Sequence, residues 1–201
     1  MMLPSHALAG MALAIPLLVV APEFATVGFV AGFIGGVFPD LDLYYGHRKT
    51  LHYPVYYPAL AGIAIAIAVV LPTPATIALA LFLAGAALHC LADVFGGGLE
   101  LRPWEATSDR AVYDHFHGRW LAPRRLVRYD GSIEDLLLSV GLAIPLFVLL
   151  DGALQLVVLG SALVATVYVL LRRRLAQLAP DVVRLLPPEA VAYVPRRYRE
   201  Q

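Results

Sequence analysis

The sequence predicts an all-α fold: a multi-pass membrane helix bundle of about six spans, with a small cytoplasmic cap between the fourth and fifth spans. Of the 201 residues, 60% are hydrophobic and only 15% are charged, whereas soluble domains are about one-quarter charged. The mean hydropathy is +0.73. The apolar residues form long runs without Lys or Arg, and the basic residues are segregated between alternate runs.

Six apolar runs each predict one membrane helix. A span needs roughly 20 apolar residues, with about 17 as the usual lower limit, so the first, second and fifth runs must borrow flanking residues. The first run has no basic residue before it and continues almost directly into the second, which predicts a retained helix rather than a cleaved signal peptide. The runs cover residues 7–21, 24–39, 54–72, 75–92, 136–150 and 152–171.

The basic residues predict the orientation of the bundle. Every Lys and Arg lies in the second connection, in the fourth connection or after the last run, whereas the opposite side carries only Glu23 and Asp151. By the positive-inside rule, both termini and the cap then face the cytoplasm, and the protein lies in the inner or plasma membrane. The basic residues are Arg48, Lys49, Arg102, Arg110, Arg119, Arg124, Arg125, Arg128, Arg172, Arg173, Arg174, Arg184, Arg196, Arg197 and Arg199.

The charge balance and the cysteine content narrow the possible partners. Fifteen basic residues match fifteen acidic ones, so there is no basic excess to hold nucleic acid, and the lipid bilayer is the expected partner. The oligomeric state is left open. A single cysteine, Cys90, closes no intramolecular disulfide and builds no Cys-rich zinc site, so any metal must be held by His and carboxylates.

The expected organisation has four segments. Residues 1–93 form a four-helix membrane half that carries the candidate site, 94–135 form the cap, 136–171 form two further helices, and 172–201 form a basic tail. The hydrophobic residues around Arg184 suit either a short helix in the headgroup region or a solvated tail.

Ionisable residues gather at the cytoplasmic ends of the first four predicted helices. Such groups are costly in a bilayer, so we expect them to point into the bundle and towards one another. Small residues at intervals of four share a helix face with several of them, and small residues let membrane helices approach closely. These patterns are Gly28, Gly32 and Gly36 with Asp40; Gly85 with His89 and Asp93; and Gly10 and Ala14 with His6.

The residue types point to a divalent metal, with zinc preferred and manganese or iron as alternatives. The ligand set exceeds what one tetrahedral ion needs, so one or two ions are expected, and two would suit phosphoryl transfer. The chain contains neither His-Glu-x-x-His nor Gly-x-Ser-x-Gly, which argues against a zincin-type protease and an esterase with a nucleophile elbow. The predicted metal ligands are His6, Asp40, His52, His89 and Asp93.

Two further residues receive predicted catalytic roles. Asp42 orients a ligand or bridges ions, although it could instead cap a turn. Arg48 steadies phosphate charge, because its planar fork matches phosphate oxygens. His6 could instead be no more than a polar helix start, and His89 with Asp93 could be a hydrogen-bonded packing pair. His115 and His117 lie in the polar cap and are left out of the site.

The order of these motifs resembles the inner-membrane-associated, metal-dependent hydrolase family that is also called LexA-binding, inner membrane hydrolase-like. The matching elements are His6, the Pro-Asp-x-Asp of residues 39–42, the Gly-His-Arg-x-x-x-His of 46–52, the His-x-x-x-Asp of 89–93, and the Gly-rich turn with a Trp in 96–104. They cover about half of the chain. A looser similarity reaches the zinc-dependent phospholipase C class, which implies phosphoester cleavage by analogy.

The sequence departs from the family where Thr-His-Ser is usual, because here Leu51-His52-Tyr53 follows Thr50. The expected function is a membrane-bound, metal-dependent hydrolase acting on a phosphoester of an amphiphilic substrate at the cytoplasmic face. The alternatives are a non-catalytic scaffold with a structural metal and an ion or metal transporter. A transporter should place ionisable groups near the bilayer midplane, whereas these crowd at one face.

Overall fold

The chain is mostly helical in the computed structural model, which describes residues 1–195 and 198. Of the basic residues used to predict the orientation, Arg196, Arg197 and Arg199 lie outside the described residues. Eight α-helices follow one another along the described chain. They are α1 (Leu3–Ala12), α2 (Leu17–Val20), α3 (Ala25–Val37), α4 (Tyr56–Val70), α5 (Pro74–Phe95), α6 (Ile133–Leu149), α7 (Gly152–Arg184) and α8 (Pro188–Val191).

Four helical segments, rather than about six, are long and apolar enough to cross a membrane. The expected count fails at α4 and α6, which have 15 and 17 residues. At 1.5 Å per residue these helices reach about 22–26 Å, short of a hydrocarbon core of roughly 30 Å. The four candidate spans are Leu3–Val20, Pro22–Asp42, Pro74–Phe95 and Gly152–Arg184.

The first two candidate spans are interrupted helices. A turn at residues 13–16 separates α1 from α2 and ends at Pro16, which has no N–H to donate to a continuous helix. In the second span, α3 runs into a 3₁₀ segment, Phe38–Asp42. Asp40 and Asp42 therefore lie on a tighter turn than the regular helix assumed from the sequence.

The last helix continues well beyond residue 171, where the sequence placed the start of the tail. With 33 residues, α7 is about 50 Å long, so it extends past any bilayer core. The segment around Arg184 belongs to this long helix instead of forming a separate one. Arg172 is buried, because the cap covers this part of α7.

The cap contains the only strands among the described residues, and they add a short hairpin to a chain that is otherwise helical, as predicted. Strands β1 (Val112–Asp114) and β2 (Arg119–Leu121) pair antiparallel, with Tyr113 opposite Trp120. Their loop includes Gly118 at a φ of +66°, a left-handed conformation that glycine adopts without steric cost. This segment escaped prediction because each strand has only three residues, too few to show an alternating pattern.

Helices α1, α3 and α5 meet along a seam of glycines. A Cβ on Gly10 would collide with the Gly32 carbonyl, one on Gly36 with the His6 carbonyl, and one on Gly85 with the Gly32 carbonyl. The backbones can approach this closely only because no side chain intervenes. The small-residue faces predicted from the sequence thus pack against each other, and they bring the polar ends of the three helices together.

Candidate metal centre

Four of the five predicted ligands converge at one end of the glycine seam. Asp40 comes from the 3₁₀ segment after α3, His52 from the loop before α4, and His89 and Asp93 from successive turns of α5. One ligand atom from each of the four lies within 4.8 Å of all the others. The cluster joins residues up to 53 positions apart in sequence, and it exists only because the helices pack as they do.

The spacing of these atoms matches a tetrahedral ion. Metal bonds of about 2.0–2.1 Å require ligand atoms about 3.3–3.4 Å apart. His52 Nε2 and His89 Nε2 are 3.2 Å apart, and each lies 3.4 Å from Asp93 Oδ2. Asp40 Oδ1 lies 3.4 Å from His89 Nε2 and 3.8 Å from His52 Nε2. Five edges are thus close to the length that zinc requires.

The other ring nitrogen of each histidine is hydrogen bonded away from the cluster. His52 Nδ1 donates to Asp42 Oδ2 over 2.9 Å, and His89 Nδ1 donates to the Gly36 carbonyl over 2.7 Å. Carbonyl and carboxylate oxygens only accept, so both Nδ1 atoms carry hydrogen and each neutral ring presents a lone pair at Nε2. Two ring lone pairs and two carboxylate oxygens then face one another, an arrangement that a cation stabilises.

Asp42 lies beside the cluster and holds the loop that carries His52. Its buried carboxylate accepts hydrogen bonds from the rings of His52 and His47 and from the backbone N–H groups of Arg48 and Leu51. A carboxylate that orients a ligand histidine fixes its tautomer and raises its basicity. Of the roles weighed for Asp42, this geometry corresponds to orienting a ligand.

His6, the fifth predicted ligand, is adjacent to the four-atom cluster and is not one of its members. Its ring stacks on His89, with centroids 3.7 Å apart and an interplanar angle of 20°. Its Nε2 lies 3.1 Å from Asp93 Oδ1, the oxygen turned away from the other two histidines. His6 therefore contacts two members of the cluster, His89 and Asp93, from outside it.

Arg48 is buried and contacts Asp93 directly. Its guanidinium places Nη2 3.1 Å from Asp93 Oδ1 and donates from Nη1 to the Gly97 carbonyl over 2.7 Å. The amino nitrogen of Met1 lies 2.7 Å from the same Asp93 oxygen. Arg48 has a φ of +60°, an uncommon backbone conformation for a residue with a side chain. The loop holds this residue in place through other contacts.

The cap hairpin and helix α4 supply the contacts that hold the loop at residues 48–51. Tyr113 N–H donates to the Arg48 carbonyl over 2.9 Å, and His115 Nε2 donates to the Lys49 carbonyl over 2.6 Å. The Tyr57 hydroxyl donates to the Leu51 carbonyl over 3.0 Å. His115, which the sequence placed outside the site, is outside it but fixes the loop. His117 instead donates to Asp114 within the hairpin.

The ring of His47 lies beside the cluster, although the sequence analysis gave this residue neither a ligand role nor a catalytic role. Its Nδ1 lies 3.1 Å from Asp42 Oδ1 and 3.8 Å from Asp40 Oδ1. Loop residues have no fixed periodicity, so spacing along the chain could not have placed this ring. The Gly-His-Arg element was the one signal available for it.

The cluster has one partly open edge. The side chains of His52, His89 and Asp93 are 0–1% exposed, whereas Asp40 is 20% exposed and the neighbouring His47 is 16% exposed. His47 also lines a groove of about 940 Å³ between the loop at residues 43–49, the cap and residues 192–195. A molecule in this groove would approach the ligand cluster from the side of Asp40.

Fold and site together define a helical bundle with helices long and apolar enough to span a membrane and with a buried His and Asp cluster that could bind a metal ion. No protein-family model matches this chain, and no curated protein or solved structure matches it either. The resemblance to metal-dependent hydrolases therefore stays a prediction.

Proposed function

We propose that this protein is a membrane-bound, metal-dependent hydrolase that cleaves a phosphoester of an amphiphilic substrate at the cytoplasmic face. The observation that carries the proposal is the convergence of two histidine Nε2 atoms and two carboxylate oxygens at tetrahedral spacing beside a groove. Both termini would be cytoplasmic, as the segregation of basic residues indicates. The order of the motifs, which resembles a hydrolase family, supports the same reaction class.

One ion is favoured over two. Asp93 Oδ2 faces the two histidines, but Oδ1 of the same carboxylate is in contact with the Arg48 guanidinium. A second divalent cation at Oδ1 would lie against a fixed positive charge, which is unfavourable at such distances. The His and Asp donor set suits zinc, with manganese or iron as alternatives.

A divalent ion held by Asp40, His52, His89 and Asp93 would polarise a phosphoryl oxygen and lower the pKa of water. The protein residues around it have separable tasks. Asp42 keeps the His52 lone pair aimed into the centre. Arg48 compensates the charge of Asp93 and holds the cap through Gly97, so its predicted contact with phosphate becomes a positioning role in this proposal.

The groove suits an amphiphile better than a small polar metabolite. Tyr44 and Tyr45 line it and are 64% and 74% exposed. Exposed tyrosines favour the headgroup level of a bilayer, where the ring contacts apolar groups and the hydroxyl remains hydrated. Lys49 and Arg110 in the same groove stack on Tyr113 and Trp120 and supply positive charge for a phosphate.

A structural metal site is the second candidate, and one observation favours it. Four protein ligands complete a tetrahedral shell, whereas catalytic zinc keeps one position for water. The partial exposure of Asp40 distinguishes the two possibilities, because the ligand nearest the groove could be displaced or share the ion with water. No arrangement of the described residues favours the alternative of a transporter.

The test is metal analysis of the full-length protein in detergent, together with a panel of phosphodiester and phospholipid substrates. We expect about one divalent ion per chain, and we expect His89→Ala to lose both the ion and turnover. The matched control is His117→Ala, which removes a hydrogen-bonded histidine from the cap and should change neither. Metal with no turnover on any substrate would favour the structural site, and wild-type protein without metal would exclude both candidates.

A further inference from the structure

A second cavity lies on the outer face of the bundle, away from the ligand cluster. It is a crevice of about 560 Å³ where the start of α4, the end of α5 and the cap meet. Its walls are apolar except for one charged side chain, Arg124. Representative wall residues are Pro54, Val55, Leu91, Phe95 and Leu126.

The crevice lies at the end of the membrane-spanning region. The candidate span formed by α5 ends at Phe95, where the cap begins, and the shorter apolar helix α4 begins nearby at Tyr56. Leu91 and Phe95 are 43% and 46% exposed, and Leu126 of the cap is 72% exposed. With α5 in a bilayer, exposed apolar side chains at its end would contact acyl chains rather than water.

Backbone hydrogen bonds hold Arg124 in position. Its N–H donates to the Val94 carbonyl over 2.7 Å, and the N–H of Val127 donates to the Phe95 carbonyl over 3.2 Å. The cap segment that carries Arg124 follows strand β2 and is thus attached to the last turn of α5. The crevice is therefore a built feature of the fold rather than a gap between mobile segments.

The Arg124 guanidinium has no carboxylate within ion-pair distance among the residues that the structure describes. A cation at the end of an apolar crevice has a natural counterpart in the bilayer: a lipid whose phosphate meets the charge while its chain covers the apolar wall. Basic pockets between helices on the cytoplasmic side bind anionic headgroups in this way. The volume lies within the range of small-ligand sites.

We propose that this crevice binds one anionic phospholipid, with the phosphate on Arg124 and the first part of an acyl chain against Leu91, Phe95 and Leu126. The site is independent of the proposed hydrolase function, because its residues lie on the face of α5 opposite His89 and Asp93. The bound lipid would attach the cap to the bundle at the level of the headgroups.

The test compares lipid binding to the full-length protein in a zwitterionic detergent, measured by native mass spectrometry and by thermal stabilisation. Dioleoyl phosphatidylglycerol should bind wild type about fivefold or more tightly than dioleoyl phosphatidylcholine, the preference that one basic residue confers near a membrane surface. Arg124→Gln should abolish this preference. Arg128→Gln, which removes an exposed cap cation that pairs with Glu134, should keep it.

Two further arms identify the source of the phosphate and guard against misfolding. Glycerol 3-phosphate, which has the phosphate but no chain, should give no stabilisation, and Leu126→Gln should weaken phosphatidylglycerol binding while retaining wild-type helicity by circular dichroism. An unchanged lipid preference in Arg124→Gln would refute the proposal, as would equal stabilisation by glycerol 3-phosphate. Metal content measured on the same samples keeps this result separate from the test of the hydrolase.

Discussion

Two hydrogen bonds outside the ligand cluster decide what the cluster can bind. Asp42 and the Gly36 carbonyl each take the Nδ1 hydrogen of a histidine, so both Nε2 atoms are left as acceptors beside two carboxylate oxygens. Were either ring turned over, a hydrogen would occupy the centre and the set would become an ordinary hydrogen-bonded network. The chemistry at residue scale thus depends on groups that contact no ion themselves.

Replacing Asp42 with Asn tests this dependence. The amide offers one acceptor where the carboxylate accepts from two rings and two backbone N–H groups, so the His52 tautomer is no longer fixed. We expect metal affinity to fall about 10–100-fold, the usual cost of losing such a partner. The measurement is competition with a chromophoric chelator.

Asp114→Asn provides the matched control for that experiment. Asp114 also accepts from a histidine ring and from two backbone N–H groups, but it does so in the cap hairpin. Metal affinity should be unchanged in this variant. Equal losses in both variants would mean that Asp42 acts through general stability rather than through His52.

Glycines determine how closely the central helices approach. The faces predicted from spacing are the ones that α1, α3 and α5 bury against each other, and Gly36 illustrates the double use of one residue. Because Gly36 has no side chain, the α1 backbone packs directly against it, and the Gly36 carbonyl accepts a hydrogen bond that orients His89. The metal cluster therefore depends on helix separation as much as on ligand identity.

Gly32→Ala should separate these helices. The added methyl would collide with the Gly10 carbonyl, and backbone cannot move aside as a side chain can. Overpacking of this kind costs about 1–3 kcal/mol or more, and we expect a lower midpoint of thermal unfolding together with loss of bound metal.

Gly62→Ala is the control, since nothing lies within 4 Å of its added Cβ. A gain of up to about 1 kcal/mol from helix propensity is expected there. Retained metal and stability in Gly32→Ala would contradict the close packing of the seam.

The cap is attached to the bundle through a contact between Asp130 and the long helix α7. Arg172 donates to Asp130 from Nε over 3.0 Å, and the Tyr168 hydroxyl donates to it over 2.6 Å. Burial opposes ionisation of Asp130, but the Arg172 charge and these hydrogen bonds outweigh it and hold the pKa of the carboxyl below its ordinary value. The ionised form is therefore the one that joins cap and bundle.

The stability from this contact should depend on pH in a defined direction. Because the folded-state pKa is lowered, the contribution is complete above the unfolded value of about 3.9 and is lost as the pH falls through the folded value. Asp130→Asn should cost about 1–3 kcal/mol at neutral pH, and the gap from wild type should narrow below about pH 4. Glu134→Gln, from the exposed pair with Arg128, should cost no more than about 1 kcal/mol. A gap that persists at low pH would show that Asp130 acts through packing alone.

At the scale of the whole molecule, apolar runs determine the helix pattern, and the cap hairpin fixes the loop beside the cluster. Apolar runs predicted helices α1 to α7, because the cost of exposing backbone to lipid makes helix the available structure for such runs, whereas the short helix α8 lies outside every run. The runs did not predict the number of spans correctly, because several helices are interrupted at prolines or are shorter than a membrane span requires. The cap was predicted as a segment, but its hairpin was not, because two strands of three residues leave no periodic signal.

The sequence by itself indicated a helical chain with apolar runs suited to a membrane, and it predicted that Asp40, His52, His89 and Asp93 converge, since ionisable groups beside apolar runs have few stable placements except towards one another. Only the tertiary structure decided that His6 and Arg48 contact Asp93 from outside the cluster, that His47 borders its partly open edge, and that an apolar crevice lies on the outer face of α5. Those assignments depend on loop conformation and on how helices cross, and neither is encoded in local periodicity. The contacts behind these assignments form only when close packing of helix backbones fixes the distances between side chains that are far apart in the sequence.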